Sequence, residues 1–366
     1  MKAARFFLLL IYVSILVVNV SAQDDDEVIR VDTQIIDVPV VVTDKDGKPI
    51  LNLKKSNFVV YEDGKMQELT DFSATAAPFE VALLLDTSGS TRQDLALIKR
   101  AADNFIASLR PGDRVAVIAY KTERTETEAY AVSEVLSNLT DDRAKLKSAL
   151  DKAQNSNSTP YYDSLLQVVE KVFGEKPRDE FRGRRALVAL TDGVDSVSVG
   201  DFEEVREKFN ESGIVSFFIQ INTRDYFEEN LLGECHSEIR RFSPAQISRY
   251  YRLFPKTSNM EKTSDFCKLG DFERLDISKK LYELAEKEMD ELARNSGGKV
   301  FPVEDLSGAR AAFKKVADEI GTKYSLGYYS SNEKRDGKFR KIKVELKGVP
   351  AGATVRAREG YTAPIK

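Results

Sequence analysis

Between Phe79 and Tyr324 the chain alternates short apolar runs with longer amphipathic ones, and this rhythm limits the fold more than any other feature. The apolar runs predict strands at 80–86, 114–121, 185–191, 214–221 and 298–303, with a further strand at about 127–133. Between them, spacing at i, i+3, i+4 predicts helices at 92–109, 141–154, 161–173, 201–211, 277–295 and 307–322, with Thr140 as the N-cap of the second. Strands that are apolar throughout are buried on both faces, so the expected fold is α/β: a doubly wound, mostly parallel sheet with helices on both sides.

The flanks differ. Residues 29–50 and 58–73 alternate β-branched and polar positions around Asp46-Gly47 and Asp63-Gly64. Residues 324–330, 339–346 and 354–361 do the same around Asp336-Gly337. Asp-Gly between such runs is a hairpin signal. The Asp44-Lys-Asp46-Gly47 fragment is no calcium loop, because Lys48, Pro49 and Lys55 stand where ligands belong. An isolated hairpin at each end would be marginal in water. The expectation is therefore one small β-sandwich built from residues 23–77 and 325–366, with the α/β unit of 78–324 inserted between its halves.

Residues 1–22 have a basic start, an apolar run of about 15 residues and small residues at Ser21 and Ala22, with Val20 and Ala22 at the −3 and −1 positions. This is the pattern of a signal peptide cleaved before Gln23, and it implies a secreted or periplasmic protein. No later segment is apolar for long enough to span a bilayer. With a formal charge of −4 and scattered Lys and Arg, no nucleic-acid surface is expected. Outside the cytoplasm, the only two cysteines, Cys235 and Cys267, are expected to form a disulfide. With His236 they would be too few to ligate zinc.

Ligands of open α/β sheets bind beyond the carboxyl ends of the strands. The first strand of the unit ends there in Asp86-Thr-Ser88-Gly-Ser90. Alone, that sequence reads equally as a turn and helix cap. Two other strand-end loops supply matching oxygens: Asp192 follows the apolar run 186–190, and Thr159 precedes the helix at 161–173. Hard oxygens on converging loops suit a hard cation such as Mg²⁺, with Mn²⁺ or Ca²⁺ as alternatives.

Together Asp86, Ser88, Ser90, Thr159 and Asp192 resemble the metal-ion-dependent adhesion site of the von Willebrand factor type A family, as do Thr159-x-x-x-Asp163-Ser-Leu and Leu190-Thr-Asp-Gly. The flanks, with Arg358-x-Gly360-Tyr361, resemble secreted bacterial proteins carrying this domain, best known from acidobacterial genomes. The resemblance implies that the hydroxyls ligate the cation directly or through water and that the aspartates act mostly through water. One coordination position would stay open for an Asp or Glu of a protein partner. It also implies that binding can be coupled to movement of the last helix, 307–322. The expected function is a protein-binding, adhesion-type module. The alternative is an envelope scaffold whose metal only ties loops together. A hydrolase has little support, since Ser88 and Ser90 lack a sequence-evident base and no phosphate loop occurs.

Residues 224–275 depart from the family's compact connection. Arg240, Arg241, Arg249, Tyr250, Tyr251 and Arg252 lie there, and two readings stand side by side. Either they rim the partner surface on the metal face, or the charges are solvated and the aromatics form the insertion's own core.

Overall fold

The computed structural model describes residues 35–73, 78–89, 95–228, 231–234, 242–255 and 263–365. The expected signal peptide lies outside them, and no helix among the described residues is long and apolar enough to cross a membrane.

The chain begins with four strands, β1 (Ile35–Thr43), β2 (Phe58–Glu62), β3 (Lys65–Gln67) and β4 (Leu69–Ser73). The two-residue loop between β2 and β3 places Asp63 and Gly64 at positive φ (46° and 82°), as a tight hairpin turn requires. The α/β unit follows: β5 (Glu80–Leu85), α1 (Leu95–Ser108), β6 (Arg114–Arg124), β7 (Ala129–Thr140), α2 (Arg143–Lys152), α3 (Tyr161–Gln167), β8 (Arg185–Thr191), α4 (Phe202–Ser212) and β9 (Val215–Ile221). It continues with α5 (Arg224–Glu228), α6 (Pro244–Leu253), α7 (Asp271–Ser296), β10 (Lys299–Val303) and α8 (Ala309–Gly321). Four strands close the chain: β11 (Tyr324–Tyr329), β12 (Phe339–Leu346), β13 (Thr354–Ala357) and β14 (Gly360–Thr362).

The central sheet has the order β10-β9-β8-β5-β6-β7 and is parallel except for the edge strand β7. Every residue of β5 is buried. Alternate side chains of that strand therefore serve two cores. Val81, Leu83 and Leu85 pack with α1 and α8, where Phe105 and Phe313 lie 5.1 Å apart. Ala82 and Leu84 pack with α3, α4 and α7.

Several boundaries differ from the sequence expectation, among them the start of α7, at Asp271 rather than 277. Strand β7 runs to Thr140 rather than about 133, because 134–140 continue the antiparallel ladder with β6 across two register shifts. The N-cap of α2 is accordingly Asp142, which accepts from the Ala144 and Lys145 N–H groups, while Thr140 Oγ1 accepts from the Asp142 N–H. The expected helix 161–173 also changes hydrogen-bond pattern, passing into a π-helical turn at Val168–Val172.

The flanking strands form two antiparallel sheets, β13-β1-β11-β4 and β14-β12-β2-β3, around one core that includes Val38, Val40, Val60, Leu326 and Val344. Each sheet takes strands from both ends of the chain. Inside, Glu62 receives Tyr328 Oη (2.8 Å), Tyr361 Oη (3.1 Å) and Arg340 Nη1 (3.3 Å). A buried carboxylate is tolerable only with such saturation.

Three basic side chains fasten this β layer to the α/β unit. Arg358 donates to the carbonyls of Gly360 (2.8 Å), Asp37 (3.1 Å) and, on α4, Asn210 (2.9 Å). Arg356 reaches Glu319 and the carbonyls of Gly297 and Gly298. Lys323 is fully buried and donates to the Gly297 carbonyl (2.8 Å). Gly298 is demanded by close approach, since a Cβ there would sit 1.8 Å from the Ser216 carbonyl oxygen.

Burial, aided by nearby Arg356, lowers the Lys323 amine from 10.5 to about 7. Between those values the unfolded chain holds a proton that the folded chain lacks, so this group makes stability rise with pH across that window. Urea midpoints measured from pH 7 to 10 should therefore climb in the wild type relative to Lys323→Met. Parallel profiles would show that the amine stays charged when folded.

Candidate metal centre

Strands β5 and β8 are parallel neighbours, and each is followed directly by a carboxylate, Asp86 and Asp192. The ladder extends one residue further, with the Asp86 N–H donating to the Leu190 carbonyl (2.9 Å). Asp86 is thus locked beside the end of β8 before any side chain is considered. Its carboxylate accepts the Ser88 N–H on Oδ1 (3.0 Å) and the Thr191 hydroxyl on Oδ2 (2.8 Å). Asp192, one residue beyond β8, accepts the Val194 N–H on Oδ1 (3.0 Å) and the Thr223 hydroxyl on Oδ2 (2.6 Å). The turn after it needs glycine. Gly193 has φ of 73°, and a Cβ there would lie 2.9 Å from Met289 Cε on α7.

The third loop is tied to the other two through its backbone. Ser156 N–H donates to the Thr87 carbonyl (2.7 Å). Thr159 N–H donates to Ser196 Oγ (2.8 Å), and Ser196 N–H returns a bond to the Thr159 carbonyl (3.0 Å). The structure therefore brings Asp86, Ser88, Thr159 and Asp192 into one loop cluster at the carboxyl end of the sheet, all of them buried. Ser90 lies outside the described residues.

The electrostatics of this cluster are strongly acidic. Burial, and then the neighbouring charge of Asp192, raises the Asp86 carboxyl to about 7. Asp195 is raised to about 6 by burial, against the opposing effects of Ser198 and Arg249. The buried Tyr161 hydroxyl has no hydrogen-bond partner among the described residues. Its pKa is pushed up by burial and by Glu288, Asp86, Asp192 and Asp195. Four carboxylates around one buried hydroxyl make a site of negative potential, and a hydrated cation fits it in charge and in donor type. Among the described residues no three His, Cys, Asp or Glu side chains converge as ligands. A cation here would be held by Asp86 and Asp192 together with the hydroxyls of Ser88 and Thr159. Ser90 completes the sequence-derived set.

The insertion is a small lobe with its own core. Leu231, Phe242, Ile247, Tyr250, Tyr251, Phe266, Leu269, Ile277 and Leu281 pack together, with Val194 of the Asp192 loop against them. Arg249, Tyr250 and Tyr251 are thereby removed from the expected partner surface. Both tyrosines are buried and donate to acids of α7, Tyr250 to Asp276 and Tyr251 to Glu273. Arg249 turns inward, 2.7 Å from Glu288 and stacked 4.6 Å over the Tyr162 ring. An Arg whose planar group can stack and pair at once is suited to such a half-dry position. Arg252 is exposed, whereas Arg240 and Arg241 lie outside the described residues. Cys267 is disulfide-bonded, and Cys235, its expected partner, also lies outside them.

Several residues that shape the cluster had no separable signal in the sequence. Thr191 and Asp195 adjoin Asp192 and sit in its motif, but Thr223, Tyr282 and Glu288 come from distant elements. Only the fold sets them there.

Residues 80–249 match the von Willebrand factor type A domain family. No curated protein matches the chain. Solved structures similar to it include an aerotolerance-related membrane protein from Bacteroides fragilis NCTC 9343 with multiple mutations to serines. It shares 17% identity over 66% of this chain and 98% of that chain, with a TM-score of 0.38. A von Willebrand factor type A structure from Catenulispora acidiphila shares 14% identity over 91% and 74%, with a TM-score of 0.41. Proximal thread matrix protein 1 from the mussel byssus, with a zinc-occupied MIDAS motif, shares 15% identity over 74% and 50%, with a TM-score of 0.42. The match thus spans half the length of the mussel chain.

The Asp86 shift has two opposite consequences. In chelator, its contribution to stability is present near pH 4 and is lost as pH rises through about 7, because only the folded state keeps the proton. A cation needs the charged form, so its affinity should change the other way. Titration with Mn²⁺ should show the dissociation constant rising about tenfold per unit as pH falls below 7, with little change above pH 8. A flat profile between pH 5 and 8 would mean that Asp86 is already ionised without metal.

Proposed function

We propose, from the match of residues 80–249 to the von Willebrand factor type A domain family, that the chain is a protein-interaction module that captures an acidic side chain of a protein partner through a divalent cation. Mg²⁺ is the proposed ion. The observation that carries this reading is the pairing of buried Asp86 with Asp192 at adjoining strand ends. Two like charges held together in a dry site favour a cation between or beside them.

The chain's own residues prepare the site in two ways. Thr191 and Thr223 each give their hydroxyl proton to one aspartate, which fixes the carboxylate orientations. The Thr159–Ser196 and Thr87–Ser156 backbone bonds hold the three loops at fixed spacing. Because the carboxylates are engaged by these donors, hydroxyls can take more of the direct ligation. When bound, a cation with few charged ligands keeps its attraction for a further carboxylate.

The same dense loop bonding favours a second reading, in which the metal only stiffens the loop cluster of an envelope scaffold. No catalytic role is proposed. The motif-like residues are occupied in positioning loops and carboxylates, and the chemistry proposed is recognition. The signal-like first 22 residues and the disulfide-bonded Cys267 support work outside the cytoplasm.

Calorimetry with Mg²⁺ or Mn²⁺ should detect one site in the wild type and a loss of at least about tenfold in Asp86→Ala and Thr159→Ala, in line with removal of a ligand or its support. Envelope proteins retained by the immobilised chain in Mg²⁺ should be released by chelator and should not bind Asp86→Ala. Retention that survives both perturbations, with only the melting temperature falling, would establish the scaffold instead.

A further inference from the structure

The insertion leaves the domain after β9 and returns through α7. Its two stems meet at one point in the structure. Thr223, the residue before α5, and Tyr282, in α7, lie 59 positions apart in sequence, and their hydroxyl oxygens are 2.8 Å apart. Thr223 Oγ1 is also 2.6 Å from Asp192 Oδ2. A threonine hydroxyl has a single proton, and a charged carboxylate can only accept. The proton of Thr223 therefore goes to Asp192, and Tyr282 donates to Thr223. The result is a directed chain, Tyr282 Oη–H to Thr223 Oγ1–H to Asp192 Oδ2, that passes from α7 to the acidic cluster.

A second set of contacts runs parallel to it. Ser243 Oγ caps α6 by accepting the Gln246 N–H (3.1 Å) and donates to the Ser196 carbonyl (2.6 Å). Ser196 in turn holds Thr159 from both sides of its peptide. Val194 packs into the lobe's core between these two attachments. The Asp192–Ser196 loop is thus gripped along its length by the lobe.

We propose that Thr223 and Tyr282 are positioning residues that clamp the Asp192 carboxylate, and that through them the lobe between the two stems is coupled to the metal site. This rests on the reading of the site as a divalent-cation centre. The physical reason is geometric. Outer hydrogen bonds fix the rotation of a metal-binding group, and the loss of one typically costs roughly ten- to a hundredfold in affinity. Here the outer partners are the roots of a lobe, so displacement of the lobe reorients Asp192. By reciprocity, occupation of the site stiffens the lobe.

The test uses the full chain and Mn²⁺ alone as probe. Mn²⁺ affinity should fall roughly ten- to a hundredfold in Thr223→Val, by less in Tyr282→Phe, and return to near wild type in Thr223→Ser. Melting in chelator checks folding, and Tyr282→Phe tests the same chain without altering β9. Hydrogen exchange along α6 should slow on saturation with Mn²⁺ in the wild type and respond less in Thr223→Val. Wild-type affinity in both Thr223→Val and Tyr282→Phe, with Asp86→Ala inactive as control, would overturn the clamp and leave the metal reading standing. No Mn²⁺ binding by the wild type would overturn both.

Discussion

Asp86 and Asp192 repel one another in a place that water reaches poorly, and much of the surrounding architecture answers that single constraint. Parallel pairing of β5 with β8 forces the two carboxylates together. Each is then held by a backbone N–H and a threonine hydroxyl rather than left to turn away. The price of this arrangement is visible in the Asp86 carboxyl, which burial and the neighbouring Asp192 raise to about 7. A divalent ion bound at the proposed site would remove the repulsion that the fold creates.

The lobe shows the same logic applied to a second layer. Arg249 pairs with Glu288 and stacks on Tyr162, and so inserts a positive charge among the acids. Its charge opposes the burial that raises Asp195 and Glu288. Removal of one member of such a buried pair leaves an uncompensated charge, so the pair fixes the lobe's placement more than it adds stability. The basic and aromatic residues of α6 thereby have two fates. Those facing α7 and α3 build the interior, and Arg252 remains outside.

At the opposite end of the α/β unit, the β layer solves a simpler problem. Its two sheets draw strands from both termini, so neither terminal segment has a complete core without the other. Arg356 and Arg358 then anchor that layer to backbone carbonyls of the α/β unit, at Gly297 and Gly298 and at Asn210, which places the Arg358-Glu-Gly-Tyr361 stretch at a structural joint. Glu62, Arg340, Tyr328 and Tyr361 satisfy one another inside the layer.

From sequence alone, the fold class and most of the loop cluster were legible, because both depend on local pattern. Apolar strands buried on both faces leave a continuous run, helices leave a 3.6-residue period, and Asp86, Ser88, Thr159 and Asp192 sit at the ends of those runs. The extent of β7 was less legible, since its ladder with β6 is long-range and its residues are only half buried. The direction in which Arg249, Tyr250 and Tyr251 point was decided by tertiary packing, as helix α6 offers the same composition whichever face meets α7. So too was the link from Tyr282 through Thr223 to Asp192, which joins three elements separated by tens of residues. Local chemistry determined where a cation could be held; only the packing of β9, α7 and the lobe decided what holds Asp192 in place, because hydrogen bonds between distant elements leave no period in the chain.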